Sequence, residues 1–381
     1  MTMAFLDYPT LRVIWWLLLG VLLIGFAIMD GFDLGVGILL PFVARTDGER
    51  RIAINSVGPV WEGNQVWLIL GAGAIFAAWP MIYAVAFSGF YLAMFVVLCA
   101  LILRPVGFKY RSKLQSRRWR AVWDWLLFLG GFVPALIFGV AVGNALLGAP
   151  FVFDDTLRMT YHCGFFDLLS PFALLAGLVS VAMLAMQGAT YLAAKADGPV
   201  ERRAGTAAVL AGVLLILLFA VGGVWTAYLE GYRISGALAH DAASNPLGKT
   251  VVRETGAWLA NYRSMPWTMA APAMGFVGAM LACVAARRRY ERIALLASSV
   301  AVFGVVATAG VSMFPFILPS SFDPASSLTV WDASSSRTTL LIMLIAVVLF
   351  LPIVLVYTAF IYHVLRGKVT ERQVEADHFS Y

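Results

Sequence analysis

Charge is scarce in this sequence. Only 13% of its 381 residues are Asp, Glu, Lys or Arg, 61% are hydrophobic, and the mean hydropathy is +0.85. A soluble chain carries roughly 25% charged residues, so a water-soluble fold is excluded and a polytopic membrane protein is indicated. The residues that build common sites are few as well. The three cysteines, Cys99, Cys163 and Cys283, stand apart with no metal spacing and cannot all pair with one another, so they read as packing residues. The four histidines, His162, His240, His363 and His378, all fall outside the middles of the apolar runs. A haem within the bilayer would want an axial ligand such as His from within a span, and the many methionines read as packing, so this chain is a poor haem holder. No Walker loop, dinucleotide Gly pattern or hydrolase motif appears outside the runs. The first eleven residues hold no Lys or Arg, hence no basic n-region of a cleavable signal, and the first run reads as an uncleaved anchor. The net charge of +6 does not mark a nucleic-acid binder, because the basic residues cluster in short loops between apolar runs.

What is present is length without charge. With about 20 apolar residues needed per crossing, nine spans are expected, at 12–42, 52–78, 80–104, 121–147, 164–195, 202–229, 265–286, 292–318 and 336–366. The fold class is an all-α integral membrane protein, a single polytopic domain over 1–381. Twenty of the 27 basic residues fall in the loops after spans one, three, five and seven and in the tail, with Arg104 counted in the second of these loops. The excess of Lys and Arg marks the cytoplasmic side, so the N-terminus is expected outside and the C-terminus inside. The outer loop from Glu230 to Ser264 reads as ordered turns, and the segment from Phe316 to Arg337 as a surface piece. A faint repeat runs through the chain. Leu17 to Gly31 aligns with Leu174 to Gly188 at a constant offset of 157, Val66-Trp67 with Val224-Trp225, and Pro80 and Gly89-Phe90 with Pro266 and Gly275-Phe276. Two parallel four-span units, roughly 12–147 and 164–318, plus an extra helix at 336–366, are therefore expected.

Against this background three acids stand out in the first two runs: Asp30 and Asp33 in Met-Asp-Gly-Phe-Asp-Leu-Gly, and Glu62 in Trp-Glu-Gly-Asn-Gln-Val-Trp, preceded by Trp61. A carboxylate at the centre of a membrane helix costs about 2.5–3.5 kcal/mol, so it is rare and faces protein or water. Asp30 and Asp33 share a helix face. Glu62 is expected about ten residues, or ~15 Å, into its span, at a depth similar to that of Asp33. Carboxyls so placed can take up and release protons, which suits a relay; hydrogen-bonded acids that never titrate are the plainer role. In the repeat, Asp30 falls opposite Gln187, Asp33 opposite Thr190 and Glu62 opposite Ala220, so the second unit lacks these groups. Asn64 and Gln65 read as ordinary interhelical hydrogen-bonding residues. Asp124 reads as interfacial, and Asp167 as the acid at the start of the fifth span.

Together with these motifs, Arg104-Pro-Val-Gly-Phe-Lys-Tyr-Arg-Ser-Lys113, Gln187-Gly-Ala-Thr-Tyr191, Ser244-Asn-Pro-Leu247, Met313-Phe-Pro-Phe-Ile-Leu-Pro-Ser-Ser321 and Leu328-Thr-Val-Trp-Asp332 make the chain resemble subunit II of the cytochrome bd-type quinol oxidases. The resemblance implies a nine-helix subunit paired with subunit I, which carries haem b and haem d groups and the quinol site. It implies reduction of oxygen to water with electrons from quinol in a bacterial inner membrane, with protons drawn from the cytoplasm. Small single-helix accessory subunits belong to the same picture, as does a structural quinone that some members hold in this subunit. The inward proton path is assigned by resemblance to Glu62 after Trp61, and to Asp33 of the motif that begins with Asp30. Some relatives carry Asp in place of Glu62, one methylene shorter. A proton-coupled secondary transporter would also have repeats and acids at depth, and a scaffold subunit with inert carboxylates would share the same residues.

Overall fold

The structure, a computed structural model, describes residues 6–162, 164–236 and 238–371; Cys163, Arg372 and His378 lie outside them. Twelve α-helices carry the fold: α1 (Tyr8–Val43), α2 (Asp47–Val57), α3 (Trp61–Ala78), α4 (Pro80–Gly89), α5 (Tyr91–Tyr110), α6 (Arg117–Leu147), α7 (Pro171–Lys195), α8 (Pro199–Thr226), α9 (Ala260–Ser264), α10 (Ala270–Arg287), α11 (Glu291–Met313) and α12 (Arg337–Val364). Among the described residues eight helices are long and apolar enough to cross a membrane. Two stretches expected as unbroken spans are divided. The one at 80–104 breaks at Phe90 into the short α4 and the longer α5, which runs on to Tyr110. The one at 52–78 divides at Gly58, Pro59 and Val60 into α2, which opens with charged residues, and α3, whose first turn is polar. Gly58 still donates to the Ile54 oxygen, but Pro59 has no N–H with which to continue the ladder, so α2 ends there.

Helix α1 is the axis of the bundle. It packs against α3, α6, α7, α11 and α12. Its glycines set the distances. A Cβ on Gly35 would strike the carbonyl oxygen of Leu184 in α7, one on Gly188 would strike the backbone of Gly35, and one on Gly37 would lie 3.1 Å from the Leu127 oxygen of α6. In a membrane, helix association relies on such close packing, because lipid is as apolar as the helix surface. Phe32 of α1 stacks on Tyr191 of α7 with ring centroids 3.8 Å apart.

The end of the molecule that carries the N-terminus is capped by three two-stranded antiparallel sheets: β1 (Phe151–Phe153) with β2 (Met159–Tyr161), β3 (Glu230–Ile234) with β4 (Val251–Thr255), and β5 (Phe316–Leu318) with β6 (Leu328–Thr329). The described residues of the 230–264 loop are thus ordered, as expected. The 316–337 segment differs from expectation: Phe316, Leu318, Leu328 and Val330 are buried, as are Ser320, Ser326 and Ser327. Its serines supply the hydrogen bonds that such a buried turn requires. Ser327 Oγ accepts from Ser320 N at 3.0 Å, and Ser326 Oγ accepts from Phe153 N at 3.1 Å. Arg12, fully buried in α1, ties the cap together by donating to Ser334 Oγ at 2.7 Å and to the His240 oxygen at 2.6 Å.

Two acids sit elsewhere than expected. Asp167 lies in a short 3-10 turn and accepts from Gly164 N, while α7 starts at Pro171 with Ser170 as its cap. Asp124 is buried rather than interfacial, receiving Arg50 Nη1 at 2.6 Å and Arg111 Nε at 2.5 Å. Two guanidinium groups compensate it, which is what a carboxylate needs to remain inside.

Candidate functional site

Asp30 and Asp33 are one helical turn apart on α1, and both are buried. The group that compensates them is Arg104. The sequence places it in a loop, but the structure buries it within α5, at 2% exposure. Its guanidinium forks onto Asp30, with Nη2 to Oδ1 at 2.8 Å and Nη1 to Oδ2 at 3.1 Å. Two parallel N–H···O bonds are the strongest arrangement open to this pair. The same Nη2 lies 3.8 Å from Oδ2 of Asp33. Asp33 takes its hydrogen bond from α3 instead, where Asn64 Nδ2 donates to Oδ2 at 2.9 Å. Tyr362 of α12 in turn donates its hydroxyl to Asn64 Oδ1 at 2.8 Å. With the tyrosine on one side and the carboxylate on the other, the amide can point only one way. A continuous chain of contacts therefore runs Tyr362–Asn64–Asp33–Arg104–Asp30 across four helices.

Its charges do not balance. One guanidinium serves two carboxyls, and it is committed to Asp30. Three polar atoms of the network and its wall are buried without a hydrogen-bond partner among the described residues: Asp33 Oδ1, Arg104 Nε and Trp61 Nε1. Buried polar atoms are normally paired with protein or ordered water, and such orphans cluster where a site has work beyond folding. Trp61 is buried at 7%, with its ring 5.8 Å from that of Phe108.

Glu62 is not joined to this network. It lies in the first turn of α3 rather than ten residues into a span, and its side chain is exposed. Its level along the bundle is nevertheless close to that of Asp33. The Asn64–Asp33 bond sets residue 64 level with Asp33, so Glu62, two residues earlier, starts about 3 Å further along the axis. Along α3, Glu62 shares its outward face with Val66, Ile69 and Phe76, all exposed. Trp61 and Asn64 point inward.

At Gln187 and Thr190, which align with Asp30 and Asp33 at the constant sequence offset, the side chains are neutral and satisfied. Gln187 Oε1 accepts from Ser298 Oγ at 2.6 Å, its Nε2 donates to Ser299 Oγ at 3.0 Å, and Thr190 Oγ1 is 2.7 Å from Ser298 Oγ. Of the histidines, His162 stacks on Phe322, His240 on Trp331, and His363 sits in the last turn of α12. None of these three presents an imidazole from the middle of a span, so the described residues do not fit a haem held by histidine at the centre of the bilayer. Among the described residues there is also no cluster of three or more metal-binding side chains.

Sequence reasoning missed Arg104, undervalued Asn64 and overlooked Tyr362. For Arg104 a signal existed: Pro105-Val106-Gly107-Phe108 follow it without charge, so the apolar run continues beyond it. For Tyr362 there was none, because one tyrosine near the end of an apolar helix is ordinary.

Comparison with known proteins bears on this arrangement. Residues 11–365 match the family described as cytochrome bd terminal oxidase subunit II. The chain is 51% identical to cytochrome bd-I ubiquinol oxidase subunit 2 of Escherichia coli over 98% of its own length and 99% of the relative's. It is 47% identical to a probable cytochrome oxidase subunit 2 of Haemophilus influenzae, with 98% and 99% covered. To cytochrome bd ubiquinol oxidase subunit 2 of Bacillus subtilis it is 30% identical, with 96% and 98% covered. Its fold is similar to a chain of the bd oxidase structure from Geobacillus thermodenitrificans, with a TM-score of 0.69, 17% identity, and 93% and 98% of the two chains covered.

Proposed function

The chain belongs to the cytochrome bd terminal oxidase subunit II family, and from that premise we propose that its buried acids form part of the proton path of the oxidase. The protein is a subunit of a membrane quinol:oxygen oxidoreductase, a multi-pass protein of the bacterial inner membrane that works in complex with subunit I. Haem b and haem d are assigned to subunit I, where they supply the oxygen chemistry. This chain's own part is to hold and move protons. The oxidase reading is favoured over a proton-coupled transporter because the family match spans residues 11–365.

The observation that carries the proton reading is Glu62, a carboxylate on the otherwise apolar outer face of α3, next to a buried network with more acids than bases. Against lipid such a group is costly; against a partner subunit it becomes a connection. On this reading subunit I covers the α3 face. Asp33 is the member of the network that changes protonation, since Asp30 is held by Arg104. Trp61 and Asn64 lie between Asp33 and the surface. They position the carboxyls, and Trp61 leaves an indole N–H facing the passage. A structural quinone and small accessory subunits belong to the same family picture, with no residue here assigned to them.

The architecture we propose is nine crossings in two parallel four-span units, with α12 as the extra helix. Trp79 and Met265, which precede the matching prolines, share a backbone conformation, with φ −137°, ψ 73° and φ −129°, ψ 78°. The packing is also reciprocal, since α1 meets α6 and α11 while α7 meets α11 and α6. The N-terminus is placed outside and the C-terminus in the cytoplasm, because the basic bias survives the removal of Arg104 from its loop.

The test is Glu62→Gln in the whole complex. Oxygen consumption with quinol is expected to fall at least about tenfold, the scale of losing one proton-transfer group, while the haem absorbance of the purified complex stays at the wild-type level. Unchanged turnover removes Glu62 from the path and leaves these carboxylates as scaffold.

A further inference from the structure

Away from the acid network, α7, α8, α10 and α11 line a half-open cavity of about 400 Å³ at the end of the bundle where basic residues accumulate. That volume falls within the ~300–1,000 Å³ typical of ligand pockets. Its charged lining is Arg202, Arg287, Arg289, Glu201 and Glu291, with Thr190 among its uncharged members. The acids do not cancel the arginines. Glu201 is taken by Lys368 at 2.7 Å, which leaves Glu291 against three guanidinium groups. None of the three arginines forms an ion pair with a carboxylate among the described residues.

Arg289 carries a second sign. It stands at the residue after the α10 cap with φ 59°, in the left-handed region. Its N–H donates to the Ala286 oxygen at 3.2 Å, and Tyr290 N to the Ala285 oxygen at 2.9 Å. This is the helix-ending turn in which glycine is the usual residue, because a Cβ is unfavourable there. An arginine held in that conformation brings its guanidinium to the cavity at the expense of the turn. Leu210 of the lining is exposed, and further along the same two helices so are Leu214 on α8 and Leu281 and Val284 on α10.

We propose that this cavity binds the phosphate headgroup of an anionic phospholipid, with the arginines holding the phosphate and the α8 and α10 leucines lying along the acyl chains. Guanidinium groups recognise phosphate oxygens with paired N–H bonds, and basic pockets between membrane helices suit such headgroups. The site is independent of the proton path, so either can fail alone.

The experiment uses the intact oxidase complex, stripped of lipid in detergent and titrated with dioctanoyl phosphatidylglycerol under native mass spectrometry. Arg289→Gly is the informative variant, because glycine suits the turn; the complex should stay at least as stable to heat while lipid affinity falls about fivefold. Arg287→Gln should weaken binding by a similar factor. Dioctanoyl phosphatidylcholine should bind more weakly than phosphatidylglycerol, and inorganic phosphate should compete only at much higher concentration. Equal binding of the two lipids, or affinity unchanged in both variants, overturns the proposal. Inorganic phosphate binding as tightly as the lipid overturns it too, and marks a free-phosphate site instead.

Discussion

Asp30 gives both carboxylate oxygens to Arg104, so removing the guanidinium strands two acids in a buried site with no cation. Breaking a buried pair from one side costs about 3–5 kcal/mol, whereas removing both charges together is far milder. Arg104→Gln should therefore lower the unfolding temperature of the complex sharply, and Asp30→Asn/Arg104→Gln should recover most of the loss. A single variant as stable as the double would mean that the pair is not what holds α1 to α5. At this scale the sequence was informative about the acids and silent about what balances them. An Asp within an apolar run is conspicuous in one dimension. Whether an arginine at the end of another run turns in toward it depends on where α5 lies against α1. The same limit hid Asn64, whose amide looks like any other until Tyr362 and Asp33 flank it.

Helix α1 meets α7 through glycine against glycine, and that contact is unforgiving. A Cβ on Gly35 would meet the Leu184 carbonyl, a backbone atom that cannot turn aside, while one on Gly223 of α8 meets nothing within 4 Å. Gly35→Ala should cost about 1–3 kcal/mol, as overpacking does, and Gly223→Ala should be neutral; yields and unfolding temperatures of the two complexes give the comparison. Helix α2 offers a pH test. Its N-terminus is a capping box in which Thr46 Oγ1 accepts from Glu49 N at 3.2 Å and Glu49 Oε2 accepts from Thr46 N at 3.1 Å. Partial burial pushes the Glu49 carboxyl up, but the Arg203 guanidinium at 2.5 Å and the N–H groups of Arg45 and Thr46 outweigh it and hold the group below its ordinary value. A carboxyl lowered on folding adds stability that is complete above its unfolded pKa of about 4.3 and disappears as pH falls through the folded value. The gap in unfolding temperature between wild type and Glu49→Gln should thus be present near ~pH 6 and close toward ~pH 3; a gap independent of pH would contradict the ionic role. Most helices were legible as apolar runs of sufficient length. The break at Gly58-Pro59 was passed over, because apolar residues on both sides of it continue the run and hydropathy does not register backbone geometry.

At the scale of the whole molecule, one end gathers most of the cations, the other is sealed by three small sheets, and a carboxylate faces outward between them on the flank of α3. The sequence motifs indicated the family before any helix was placed. What they left open was direction: the acids form two groups, one turned in toward Arg104 and one turned out on the flank of α3. The central claim is that protons pass through this chain on their way to subunit I. Its most direct test is a single-turnover reaction of the fully reduced complex with oxygen, reading haem oxidation and proton uptake from the bulk solution together. In Glu62→Gln the first electron transfers should run at the wild-type rate while proton uptake slows by about tenfold or more. Uptake as fast as in the wild type, with turnover intact, would contradict the account.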